Sequence, residues 1–238
     1  MDASQVATST PSGVFQDITL AQAILLLSLD DVTGQTEAGY YQPAFAGAAL
    51  AELFLHGTIE LQDDLIVPLR HRQSLGAFLD LCDRAIGRAP QNLSLSHWVA
   101  RLSDQKDFVS TLADELCHLG ALSKEKTRIF GLFSRTIWPE ASPVLENRLK
   151  QDLRTFIADP AVAMDERLSL TLALADAVDL LKYNFSADEL GVGAARIDAI
   201  AAGEGLHHPG LKAVLGAVKS ALADANSSPD SVTATILQ

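Results

Sequence analysis

The segment 165–185, "DERLSLTLALADAVDLLKYNF", constrains this chain more than any other. It is apolar on nearly every side from Leu168 to Leu181. An amphipathic surface helix shows one apolar stripe, whereas a helix greasy all round has to be covered all round. The segment therefore predicts a central buried helix and requires other helices to wrap it. With 238 residues, 48% of them apolar and 20% charged, the chain has enough material for that shell. A spanning helix is excluded, because no run approaches the roughly 18 apolar residues a bilayer needs.

The wrapping helices can be read one by one. Thr19-Leu-Ala-Gln22 is a capping box, in which the Thr oxygen and the Gln side chain satisfy free backbone amides. It opens a helix that holds Ala23–Leu27 and runs to about Leu29. Asp30 and Asp31 oppose the helix dipole there, and Gly34 helps the chain turn. Pro43 and Gly57 bracket a second helix, whose Gly47 and alanines make a narrow face for close packing. Further helices are predicted with Ser74, Ser96 and Ser103 at or before their first turns. The helix after Ser103 places Phe108, Leu112, Leu116 and Leu119 on one stripe and ends at Gly120. Ser142-Pro143 starts another helix. A second capping box, Ser186–Glu189, opens one carrying Leu190, Ile197 and Ile200, and Pro209 starts the last.

Two stretches have strand composition instead. "TIELQDDLIVPL" reads as a hairpin turning at Asp63-Asp64, and "KTRIFGLFSRTIWP" as a second one around Gly131. The expected fold is mainly α: one domain over 14–225, a buried central helix wrapped by amphipathic helices, and two short β-hairpins. Residues 1–13 and 226–238 are Ser/Thr-rich and read as disordered tails.

Charge narrows the function classes. A net charge of −12 repels nucleic acid and anionic surfaces alike, so any phosphate-binding role needs a local basic patch. Two such patches occur. Arg70 and Arg72 flank His71, and Lys124, Lys126, Arg128 and Arg135 surround Ile129, Phe130, Leu132 and Phe133 of the second hairpin. A greasy tip with cationic flanks suits insertion at a membrane interface or in a partner's groove; the same pattern also fits a hairpin packed on its own domain with solvated charges.

No nucleophile or metal set stands out. Asp30-Asp31 reads as a solvated turn. Cys117 and His118 point about 100° apart on a helix and cannot easily share a metal, and His207-His208 lie in a polar loop. Gly191-Val-Gly193 lacks a preceding strand, and neither G-x-S-x-G nor H-E-x-x-H occurs. No enzymatic activity, catalytic residue, metal or cofactor is expected. Cys82 and Cys117 make no disulfide framework, and with no secretion signal at the N-terminus the expected location is cytoplasmic, in a reducing compartment.

Three segments in this order resemble the Golgi phosphoprotein 3 (GPP34 domain) family. They are "TLAQAILLLSLDDVTG" followed by "ALAELFLHGTIEL", then "LADELCHLGAL" followed by "IFGLFSRTIWP", then "ERLSLTLALADAVDLLKYNF"; the matching order spans roughly residues 14–224. The resemblance implies an all-α fold and a peripheral membrane adaptor on the cytoplasmic face. It also implies phosphatidylinositol 4-phosphate, or another anionic lipid, as ligand and the cytoplasmic tails of membrane proteins as partners. The matching hairpin, Lys124–Trp138, would serve self-association beside the lipid site.

The family's lipid pocket uses a tryptophan, an arginine and two arginines three apart. The matching positions are Glu37, Ala46, Lys106 and Val109, of which only Lys106 is cationic. Lys106 and Arg101 are thus the headgroup candidates. The departures, together with the missing basic N-terminal arm, suggest a bacterial-type member. The alternative reading is a soluble, self-associating interaction module that binds no lipid.

Overall fold

The computed structural model describes residues 13–30, 33–36, 38–69, 73–129 and 133–227. The expected capping box is in place: Thr19 Oγ1 accepts from the Gln22 amide at 3.3 Å, and Gln22 Oε1 accepts from the Thr19 amide at 2.9 Å. It opens α1 (Leu20–Ser28), whose side chains are buried from Leu20 to Leu27. Asp30 follows at once, and the chain turns back into α2 (Ala38–Leu55). This helix begins earlier than Pro43 suggests, because Pro43 lies inside it. A proline there cannot donate to the carbonyl of residue 39, and its ring crowds that carbonyl.

Next come β1 (Ile59–Gln62) and β2 (Leu65–Pro68), joined by a turn in which Asp63 and Asp64 both have positive φ, 47° and 65°. Aspartate tolerates that region, and two such residues make the tight hairpin turn. α3 (Ala77–Gly87) is followed by β3 (Leu93–Ser94), which adds a third antiparallel strand beside β2 that the sequence reading lacks. Then follow α4 (Leu95–Ser103), α5 (Phe108–His118) and the second hairpin, β4 (Glu125–Ile129) with β5 (Phe133–Ile137). The chain closes with α6 (Val144–Ala158), α7 (Glu166–Ala177), α8 (Leu181–Asn184), α9 (Ala187–Val192), α10 (Ala194–Ala201) and α11 (Pro209–Ser227).

The all-round apolar segment is α7, buried on every side from Ser169 to Ala175. It stops at Ala177, and positive φ at Asp179 turns the chain into α8. It shares the centre with α1 and α2, which pack on it and on each other. α11 lies against α2 at the predicted narrow face. A β-carbon on Gly47 would stand 2.4 Å from Val218 Cγ2, so only glycine admits this approach.

Several caps differ from the reading. Gly76, not Ser74, precedes α3, and the Phe78 amide is satisfied by Glu115 Oε1 at 2.9 Å, 37 residues away. Ser94 rather than Ser96 caps α4, and Asp107 rather than Ser103 precedes α5. Leu119 leaves the predicted stripe and is 49% exposed, while Gly120, at φ 75°, ends α5 as expected. The helix predicted after Ser186 is two, with Gly193 between them, where only glycine fits because a β-carbon would stand 2.1 Å from Ile157 Cγ2. The tails read at 1–13 and 226–238 lie outside the described residues, apart from Gly13 in a 3₁₀ turn and residues 226–227 in α11. Among the described residues no helix is long and apolar enough to cross a membrane.

Candidate functional site

Among the described residues three backbone bonds hold the turn after α1. The Gly34 amide donates to the Asp30 carbonyl at 2.8 Å, the Asp30 amide to the Gln35 carbonyl at 2.9 Å, and the Trp138 amide to the Gly34 carbonyl at 3.0 Å. The last of these ties the turn to the base of the second hairpin. Gly34 has φ 59°, and a β-carbon there would stand 2.2 Å from the Pro139 nitrogen. The acidic turn therefore clamps the end of β5. Asp30 Oδ1 accepts from the Thr33 amide at 2.7 Å, which makes Asp30 a turn residue, as read.

The clamp brings Arg135 over the turn, where its Nη1 donates to Gln35 Oε1 at 2.8 Å. α8 approaches from the other side. Asn184 Nδ2 donates to the Leu27 carbonyl at 2.8 Å and to the Leu180 carbonyl at 2.9 Å, docking α8 on the end of α1. Between these walls lies an open cleft of about 790 Å³, within the usual size range of small-ligand sites. Among the described residues its cations are Arg135 and Lys150, its carboxylate is Asp30, and Ser28, Thr33, Thr36 and Asn184 add hydroxyl and amide groups. Lys150 is itself paired with Glu146 one turn earlier on α6.

Aromatics are few in this chain, at 6%, and it has three tyrosines. Two of them, Tyr41 and Tyr183, line the cleft. Tyr41 is buried in the cleft wall, Tyr183 stands on the rim at 72% exposure, and Tyr40 sits edge-on to Tyr41 with ring centroids 5.5 Å apart. Lys182 Nζ lies 5.6 Å from the Tyr183 ring and bonds Asp179 at 3.0 Å. That hydrogen bond holds the Lys182 ammonium above its ordinary value, with Tyr183 and Tyr40 within electrostatic reach.

The candidates from the sequence are scattered. Arg135 lines the cleft, but Arg101 and Lys106 do not. Arg101 is exposed at the end of α4, its guanidinium 5.2 Å from the Trp98 ring, and Lys106 is exposed in the loop before α5. Lys124 is paired with Asp114 at 2.8 Å. In the hairpin Lys126 faces Thr136 and Thr127 faces Arg135, so Lys126 and Arg135 stand on opposite sides of it. Arg128, Ile129 and Phe133 are described as strand positions only. Phe130, Leu132, Glu37 and the Arg70–Arg72 patch lie outside the described residues. Ala46, at the register of the family's arginine, is wholly buried in α2, and Val109 is half-buried.

The sequence reading missed Lys150, Gln35, Tyr41, Tyr183 and Asn184. No local pattern joins them; the one available signal is Tyr40-Tyr41 in a chain so poor in aromatics.

Among the described residues no group of three acidic, His or Cys side chains is placed to hold a metal ion. Cys82 and Cys117 are free thiols. No curated protein matches the chain. The sequence pattern of the Golgi phosphoprotein 3 (GPP34) family matches residues 20–225, and the chain belongs to that family.

Proposed function

We propose that this chain is a non-catalytic, peripheral membrane adaptor, a bacterial-type member of its family, which engages an anionic lipid on the cytoplasmic face and the cytoplasmic tails of membrane proteins. The observation that carries this reading is the basic hairpin on an acidic body. The chain has net charge −12, yet Lys126, Arg128 and Arg135 fall within one two-stranded element, and Lys124 directly precedes it. The body is repelled by an anionic surface, so the hairpin sets the orientation of approach. Each Lys or Arg near such a surface contributes about 1 kcal/mol. Lys124, already paired with Asp114, contributes less than the others.

Co-sedimentation with vesicles tests the reading. Binding to phosphatidylcholine vesicles carrying phosphatidylserine or phosphatidylinositol 4-phosphate is expected at low salt, weakening as salt rises. Reversing Lys126 and Arg128 to Glu should abolish it. No binding to any of these vesicles at low salt overturns the membrane reading.

The second reading, a soluble self-associating module, is favoured by a different observation. The β4–β5 sheet has only two strands, so each strand has an edge without a ladder partner in this sheet. Such an edge is a template for pairing with a second copy. Light scattering of the wild type and of the F130S/F133S variant decides it: an unchanged mass removes the hairpin as the self-association surface.

A further inference from the structure

We propose that Met164 is a reversible oxidation site, with hydrogen-bond donors already in place for its sulfoxide oxygen. The chain holds two methionines, Met1 and Met164. Met164 lies in the connection between α6 and α7 and is 39% exposed, so a small oxidant reaches its sulfur.

Arg196 of α10 holds that connection. Its Nη1 donates to the Asp159 carbonyl and its Nη2 to the Val162 carbonyl, both at 2.8 Å, and its guanidinium lies 4.3 Å from the Phe156 ring. The same Nη2 donates to Met164 Sδ at 3.4 Å. A thioether is a weak acceptor, so a charged donor gains little there. Arg196 Nε is buried and has no hydrogen-bond partner among the described residues.

A second donor stands close by. Ser169 of α7 is fully buried, and its hydroxyl finds no partner among the described residues. A buried hydroxyl left unpaired is costly. A β-carbon on Gly205 would stand 2.6 Å from Ser169 Oγ and 2.8 Å from Met164 Cε, so the hydroxyl and the thioether end meet at one glycine. Around this sulfur, donors lack an acceptor.

Oxidation supplies one. A sulfur lone pair attacks a hydroperoxide oxygen; the S–O bond forms as the O–O bond breaks. Sulfur loses two electrons, and the departing oxygen takes up a proton and leaves as water or alcohol. A sulfoxide disrupts most apolar sites. Here its oxygen accepts from Arg196 and Ser169 and ties the connection to α10 and α7. The connection leads into Asp165, which caps α7, and Glu166, which accepts from the His208 amide at 2.7 Å, so the whole joint stiffens. A methionine sulfoxide reductase reverses the step: the oxygen leaves as water and a thiol pair becomes a disulfide.

Dilute hydrogen peroxide on the folded full chain tests this, in a C117S background so that no accessible thiol reacts. Peptide mass spectrometry should find one added oxygen on Met164, formed within about tenfold of the rate for N-acetylmethionine. The oxidised chain should melt about 2–4 °C higher, the shift expected from one net hydrogen bond in a chain of this size. Sulfoxide reductase should return it to the starting value, and M164L should show no rise. R196K keeps the charge and loses the planar fork; S169A removes an orphaned hydroxyl without cost to the reduced chain. Each should at least halve the rise. A Met164 that stays reduced while N-acetylmethionine is converted overturns the proposal, as does oxidation that lowers the melting temperature or leaves it unchanged. A rise that persists in full in R196K or S169A, or that appears in M164L, overturns it as well.

Discussion

Arg167 Nη1 donates to Glu52 Oε1 inside the core, and the same carboxylate oxygen accepts from the Leu20 amide at 2.8 Å. Glu52 is 1% exposed and Arg167 6%. One oxygen thus joins the start of α1, the C-terminal half of α2 and the first turn of α7, the three helices at the centre of the fold. The Leu20 amide is one of the free donors at the α1 N-terminus, so the contact is structurally useful as well as charge-neutralising.

A buried ion pair is weak evidence for stability, but half of one is strongly destabilising. E52Q leaves the Arg167 cation in the core, and R167M leaves the Glu52 anion there. Each should cost about 3–5 kcal/mol by urea denaturation. The E52M/R167M double variant should be less destabilised than the sum of the singles, because no charge is left unpaired. Additive losses would show that the two side chains do not act as a pair.

Gly34 is where the fold and the cleft meet. Its φ is 59°, and the Pro139 nitrogen lies 2.2 Å from where a β-carbon would stand, so G34A is strained twice over, by its own backbone and by the hairpin base. A loss of about 1–3 kcal/mol is expected from the backbone alone. The local signature is more telling. The Trp138 amide, bonded to the Gly34 carbonyl at 3.0 Å, should exchange with deuterium much faster in G34A than in the wild type, while amides in α7 slow or quicken only with global stability. Unchanged Trp138 protection would remove the clamp.

What the sequence made legible was whatever is decided within a few residues. Both capping boxes, at Thr19/Gln22 and Ser186/Glu189, hold as read, because both partners lie within one turn. The all-round apolar character of α7 and the close face at Gly47 are likewise properties of a single segment. The errors fall where a distant residue takes over. The α3 start is settled by Glu115 rather than by Ser74, whose hydroxyl bonds Asp80 instead, and position 193 between α9 and α10 is held to glycine by Ile157 of α6. The cleft is the extreme case: Asp30, Tyr41, Arg135, Lys150 and Tyr183 come from five separate places and are brought together only by the tertiary fold. Arg135 was visible only as one of four hairpin cations, with nothing to set it apart from Lys126.

The two thiols should differ in reactivity. Cys82 is fully buried on α3, and burial pushes its thiol far above the ordinary value. Cys117 is half-buried, and its thiol is raised chiefly by burial, then by the Asp114 charge, against the opposing effect of Lys124. The thiolate is the reactive form. With Ellman's reagent at mildly alkaline pH, Cys117 should react slowly and Cys82 not at all until the chain unfolds; in denaturant both should react fast. A native Cys82 that reacts like a free thiol would be inconsistent with this packing.

Glu189 is a carboxylate held well below its ordinary range. Its carboxylate accepts from the Ser186 amide at 2.7 Å, from Arg154 Nε at 2.7 Å and from Ser186 Oγ at 2.8 Å. These bonds, the backbone one foremost, lower its pKa from the ordinary 4.5 to about 2. The folded value lies below the unfolded one, so the ionised carboxylate stabilises the fold fully above pH 4.5, and that contribution is lost as pH falls from there towards about 2. The E189Q variant lacks the titrating group. Unfolding free energies of wild type and E189Q should therefore run parallel above pH 4.5 and draw together below it, and R154A should narrow the window by raising the Glu189 pKa. Parallel curves throughout the acid range, or a Glu189 carboxyl that titrates near 4.5 by NMR, would mean that the capping box and the Arg154 contact do not hold this carboxylate in solution.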